Sequence, residues 1–211
     1  MSTFEKNVFV NCPFDEDYRQ ILIALLFTIR SMGYVPRLAL EESDCGTIRI
    51  QKITRLIEES RIGIHDLSRM EARKKGECSR MNMPFELGID YAAKILSHSV
   101  ENWARKKLLI LESQKYQYQK AISDLSGCDI KSHNNDPLEV IKAIRNWFLV
   151  EEKIPLPSYN KIWYAFNDFN AFLSEELLKS GHKLDEISGI PVPEVLAHID
   201  TWQMRKALVA A

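Results

Sequence analysis

A chain of 211 residues, 45% of them hydrophobic, is long enough for one full domain and a small appendage. Its 28 Lys and Arg against 29 Asp and Glu leave a formal charge of −1, which argues against binding nucleic acid by bulk electrostatics. Cys12, Cys45, Cys78 and Cys128 are widely spaced with no Cys-x-x-Cys pair. This spacing fits neither a zinc site nor a disulfide framework, and it predicts reduced thiols and a cytoplasmic protein.

Met1 to Asn7 lacks the basic and apolar blocks of a signal peptide. The longest apolar run, Ile21 to Phe27, is too short to span a bilayer. Asn7 to Asn11, around Val8, Phe9 and Val10, reads as a buried strand that Pro13-Phe14-Asp15 breaks. Asp15 or Asp17 then caps a helix to about Met32, with Ile21, Leu22, Leu25, Leu26 and Ile29 at helical spacing and Gly33 as its stop. Tyr34 to Leu40 reads as the second strand, with Pro36 early in it or at an edge. Thr47 to Ser60 reads as a helix and Arg61 to Leu67 as the third strand.

Ser68 to Met83 is a long polar loop, a length that suggests function or disorder in a compact domain. Arg69, Arg73, Lys74, Lys75 and Arg80 crowd it, and a solvated loop is the favoured reading of that run. A helix follows to about Leu96, then a strand over Lys107 to Glu112. A helix near Lys115 to Leu125, a short strand near Cys128 to Lys131 and a helix from Asp136 to Val150 complete the unit. Asn135-Asp136-Pro137 is a sound start for that last helix.

Alternating strands and helices predict an α/β fold, a flavodoxin-like doubly wound sheet of five mainly parallel strands over residues 1–150. The proline-bearing joint Ile154 to Ser158 introduces a C-terminal helical appendage over 151–211, with helices at Tyr159 to Lys179 and Val192 to Leu208. The aromatic set Trp163, Tyr164, Phe166, Phe169 and Phe172 predicts core or subunit interface there.

Ligands of such sheets sit outside the carboxyl ends of the strands. Asn11, Pro13, Phe14, Asp66, Ser68 and Arg69 follow strand ends, and Asn82, Glu86 and Gly88 belong to a helix starting at the same rim. Glu86 has two readings: a capping-box glutamate with Met83 as N-cap, or an ionised carboxylate facing a ligand. Gly88 costs a helix interior about 1 kcal/mol against alanine, which tips the balance toward a site that something approaches closely. Asp66 is a rim carboxylate or a turn residue bonding its own backbone. His65 reads as a packed histidine, with a catalytic role the lesser alternative. Asp44, Gly46, Thr47 and Arg49 either touch a ligand or begin a helix. No glycine-rich phosphate loop, no Gly-x-Ser-x-Gly elbow and no metal constellation is present, and no cofactor is expected.

Together these segments resemble a known superfamily. Val8-Phe9-Val10-Asn11-Cys12-Pro13-Phe14-Asp15 is similar to the opening strand and loop of nucleoside 2-deoxyribosyltransferases and TIR domains. Ile62 to Ser68 resembles the transferase strand that ends in a substrate-contacting aspartate, and Phe85-Glu86-Leu87-Gly88 resembles their Phe-Glu-x-Gly motif, whose glutamate is the nucleophile. The block from Asn7 to about Trp147 also resembles an uncharacterised group of bacterial TIR-like proteins. Met83-Pro84 stands where the transferases carry a Gly-Thr or similar pair, and the Trp-Cys that often precedes the TIR glutamate is absent. The resemblance implies an N-glycosidase acting on NAD, a nucleotide or a nucleoside, in a defence or toxin role. It assigns Glu86 as nucleophile or stabiliser and Asp66 as partner of the base. It also implies a homo-oligomer; separately, the C-terminal helices are read as a surface that pairs between chains or docks a protein partner. The rival reading is a nucleotide-sensing or oligomerising module without catalysis. Neither a membrane nor nucleic acid is an expected partner.

Overall fold

The computed structural model describes residues 3–70, 81–96, 101–183 and 186–210. Arg73, Lys74, Lys75, Cys78 and Arg80 of the predicted basic loop lie outside them. Five strands, β1 (Asn7–Asn11), β2 (Val35–Arg37), β3 (Ile62–Asp66), β4 (Lys107–Glu112) and β5 (Lys131–Ser132), form one sheet in the order β2-β1-β3-β4-β5. Every pairing is parallel. The helices are α1 (Thr3–Lys6), α2 (Arg19–Ser31), α3 (Arg49–Glu58), α4 (Asn82–Leu96), α5 (Glu101–Ala104), α6 (Pro137–Glu151), α7 (Tyr159–Lys179) and α8 (Val192–Ala210).

β1 and β3 are buried along their whole length, as strands covered on both faces must be. Pro36 lies in β2, an edge strand, where a missing N–H costs no ladder bond. One core joins Val8, Val10, Ile62, Ile64, Leu109 and Leu111 to α2 and α6. On the opposite face Phe9 packs with Ile53, Leu56 and Ile57 of α3, and Ile110 with Leu87 of α4. This is the doubly wound α/β architecture that the alternation of strands and helices predicts.

α7 and α8 extend the first core rather than forming one of their own. Phe27 of α2 stacks on Phe169 at 5.3 Å and meets the Trp202 ring edge-on at 5.3 Å. Arg30 reaches Asp200 at 2.7 Å, and Trp202 Nε1 donates to Asp168 at 2.8 Å. The aromatic set therefore serves the core, Tyr164 excepted, which is exposed. No described helix is long and apolar enough to cross a membrane.

Two local expectations fail after β4. The predicted helix over 115–125 is two 3-10 turns, Tyr118–Lys120 and Ser123–Leu125. The Glu112 carboxylate takes the Tyr116 and Tyr118 amides at 2.7 and 3.2 Å, and Tyr116 sits at φ 67, so the chain turns back before a helix can start. The last strand comes later than 128–131 and is only two residues long, because it pairs with Leu111 and Glu112 alone. The start of α6 is as expected: the Asp136 side chain accepts from Leu138 N at 2.9 Å and Pro137 opens the first turn.

Gly63 shows why β3 carries a glycine between isoleucines. A Cβ there would lie 2.1 Å from Asp90 Oδ2 and 2.9 Å from both His65 Nε2 and Leu108 Cδ2. Gly63→Ala is expected to destabilise the fold by about 2–3 kcal/mol, read as a lower urea midpoint with an unchanged slope. A cost within error of zero would show that the Asp90 carboxylate moves freely.

Candidate functional site beyond the carboxyl ends of β1 and β3

The ends of β1 and β3 carry two buried polar clusters, and Glu86 lies beside the first. α4 begins at Asn82, so Glu86 is the fifth helical residue and the capping-box reading falls. Met83, Glu86, Leu87 and Asp90 form the buried face of α4, while Phe85 and Gly88 face outward. The Asn11 amide nitrogen fixes the start of this helix: it donates to Met83 O at 2.9 Å and meets His65 Nδ1 at 3.1 Å. His65 Nδ1 is therefore the acceptor, and Nε2–H points to Asp90 Oδ2 at 3.0 Å. Behind Asp90, Lys106 Nζ stands 3.0 Å from Asp90 Oδ1 and donates to Ile57 O at 2.7 Å and to Ser60 O. His65, Asp90 and the Lys106 side chain are fully buried.

Glu86 is 5% exposed. Burial raises its pKa above the usual glutamate value, against the opposing pull of Arg49 and His65. The dipole argument for a fully ionised carboxylate is thus outweighed by desolvation. Its ion-pair partner is Arg49, the first residue of α3, whose Nη2 lies 3.6 Å from Oε1. The Arg49 side chain is 54% exposed, so this contact stabilises the fold little and can be exchanged for another anion.

The second cluster corrects the role expected of Asp66. It is fully buried and its oxygens are occupied: Tyr18 Oη donates at 2.6 Å, Ser68 N at 2.8 Å, His133 Nε2 at 2.9 Å, and Ser68 Oγ also donates. Burial alone would raise its pKa, but His133 and the hydroxyl donors outweigh it and hold the group below the usual aspartate range. Asp66 has no face left for a base. It is a hub that ties β3 to the start of α2 and to the end of β5.

Ser68, His133 and Asp66 invite comparison with a hydrolytic triad, and the geometry rejects it. Both Ser68 Oγ and Asp66 Oδ2 meet Nε2 of His133, while Nδ1 accepts from Asn135 N at 3.2 Å. A triad needs the carboxylate and the hydroxyl on opposite ring nitrogens. Cys12 is no nucleophile either: burial, then Asp66, Glu86 and Asp15, push its thiol pKa well up.

Among the other expected site residues, Pro13 is buried and Phe14 partly exposed. Arg69 is committed to a two-pronged pair with Asp15 at 3.0 and 3.1 Å, and Asn82 is exposed at the helix start. Asn11, Asp66, Ser68 and Arg69 therefore build the rim, and the buried Glu86 is left paired with the exposed Arg49. Gly88 is exposed, with nothing within 4 Å of a built Cβ. Nothing among the described residues accounts for it. Gly88→Ala is expected to stabilise the protein by about 0.5–1 kcal/mol, measured by urea unfolding, because only helix propensity changes. Destabilisation would mean that the glycine is needed by the fold itself.

Tyr18, Asp90, Lys106 and His133 are absent from the sequence reading. Asp90 carried a signal, since it lies one helical turn beyond Glu86 on the same face. Lys106 carried a weaker one, as a cation directly before an apolar strand. Tyr18 and His133 come from distant segments and carried none. Among the described residues no group of three or more His, Cys, Asp or Glu side chains could hold a metal ion. No protein-family model matches the chain, and no curated protein matches it.

Proposed function

We propose that the protein is an N-glycosidase that cleaves the bond between a ribosyl C1′ and a base nitrogen, with a nucleotide or NAD as substrate class. The observation that carries this reading is Glu86, a buried carboxylate of raised pKa beyond the ends of β1 and β3, paired with an exposed arginine. The resemblance of the Phe85-Glu86-Leu87-Gly88 segment to the transferase motif points the same way.

As the C1′–N bond breaks, its electron pair leaves with the base, and C1′ becomes electron-poor. The Glu86 carboxylate either attacks C1′ to form a glycosyl ester, which water then displaces at C1′ with the carboxylate as leaving group, or stabilises the cation while water adds directly; in both cases the added water loses a proton to solvent and the free sugar results. Nicotinamide leaves NAD as a neutral molecule and needs no proton, whereas the base of a nucleotide takes its proton from solvent, since Asp66 is enclosed. Desolvation strengthens the carboxylate both as nucleophile and as counter-charge. Arg49 must leave Glu86 for the sugar to approach, and a substrate phosphate gives its guanidinium a better partner. This favours phosphate-bearing substrates over free nucleosides. Other assignments drawn from the family, namely defence and self-association, are part of the same proposal.

The test is chromatographic. The purified protein is incubated with NAD, nucleoside monophosphates and deoxynucleosides, and released base is measured. Release from the phosphate-bearing substrates is expected. No release from any of them, together with tight binding of one, would favour the second reading, a nucleotide sensor. That reading draws on the near-complete burial of Glu86.

A further inference from the structure

We propose that the open edge of β4 is a docking site for an acidic extended segment of a protein partner, which adds to the sheet as a further strand. This surface is separate from the Glu86 site and from the C-terminal helices.

β5 pairs with Leu111 and Glu112 only, so Lys107 to Ile110 have β3 as their sole ladder partner among the described residues. Lys107 N donates to Arg61 O and Leu111 O accepts from Leu67 N, which turns these odd-numbered residues toward β3. Strand alternation then directs the Leu108 N–H and C=O and the Ile110 N–H away from β3, to the open side. They open onto a trough of about 910 Å³. Ala143, Trp147 and Val150 of α6 line one wall, and Tyr91 and Lys94 of α4 belong to the opposite face of the sheet. Main-chain groups left unpaired in strand register among the described residues specify an extended chain, and walls on both faces specify its alternate side chains.

Charge specifies the rest. Lys94, Lys115 and Lys131 line the trough without an ion-pair partner among the described residues. Of the acidic lining groups, Glu139 meets Lys142, Glu151 meets Lys107 and Glu112 binds two amides, which leaves Asp129. Two copies pairing edge to edge would set these lysines against each other, the usual defence of an open edge. An acidic strand meets the opposite situation. Tyr116, 65% exposed and placed by the turn that Glu112 ties, stands at the wall of the trough as a side chain for the incoming segment to pack on.

The probe is a fluorescein-labelled octapeptide alternating glutamate and valine, read by anisotropy against the full-length protein. Saturable binding is expected, with slowed amide exchange at Leu108 and Ile110. The triple variant Lys94→Glu/Lys115→Glu/Lys131→Glu, confined to exposed positions, is expected to weaken binding at least about tenfold at an unchanged circular dichroism spectrum. A peptide N-methylated at alternate amides is expected to lose binding. The proposal is overturned if the octapeptide fails to bind up to millimolar concentration. It is equally overturned if the N-methylated peptide binds as well as the parent, or if the charge reversal leaves affinity unchanged.

Discussion

Glu86→Gln is expected to lower kcat for base release by about 10³-fold or more, while thermal stability holds or rises. The two readouts separate chemistry from folding. A glutamine keeps the shape and cannot serve as a nucleophile or counter-charge. The fold loses a 3.6 Å contact to an exposed arginine and the pull of His65. It gains relief from desolvating a carboxylate whose pKa burial has raised. The native state therefore holds the Glu86 proton more tightly than the unfolded chain does. This contribution to stability is fully present below the unfolded pKa near 4.5 and is lost as pH rises through the higher folded value. At neutral pH wild type carries the penalty and Glu86→Gln does not. The same shift fixes the acid limb of kcat/KM, which should lie above pH 4.5 and move further up in Arg49→Met, where a group that lowers the pKa is removed. Undiminished turnover in Glu86→Gln would remove the proposed chemistry; a large loss of stability would reassign Glu86 to the fold.

The sheet was legible because its signals are local. β1, β3 and β4 are apolar runs bounded by polar residues, and α2 and α6 repeat their apolar residues at helical spacing. β5 was not, since two residues carry no period and its position follows from where β4 ends. The rim shows the same division. Asn11, Asp66, Ser68 and Glu86 were found because each stands at or just beyond the end of a strand or near a helix start. Their roles were not, because burial and hydrogen-bond partners depend on Tyr18, His133 and Lys106 arriving from elsewhere in the chain. Asp66 and Glu86 look alike in sequence as rim carboxylates. Hydrogen bonds hold the Asp66 pKa down and desolvation drives the Glu86 pKa up.

Lys106→Met is expected to cost about 3–5 kcal/mol of folding stability, the largest single effect in the chain. Lys106 is wholly buried, and its ammonium faces Asp90 Oδ1 and the carbonyls of Ile57 and Ser60, where α3 ends. A cation there complements the partial negative charge of the helix C-terminus. Methionine fills the volume but leaves a buried anion and two carbonyls without their donor. Burial lowers the Lys106 pKa even with Asp90 alongside, so the pair does not fully offset its own desolvation. Neutralising both partners should then recover much of the loss. Asp90→Asn keeps an oxygen for His65 Nε2, and the double variant Lys106→Met/Asp90→Asn is expected to be about 1–3 kcal/mol more stable than the sum of the single changes. Urea unfolding of the four proteins closes the cycle, and strict additivity would show that the two charges do not sense each other. Because Asp90 also selects the His65 tautomer that accepts from Asn11, and Asn11 holds the Met83 carbonyl at the head of α4, the cost of this buried pair buys the fixed position of the turn that carries Glu86.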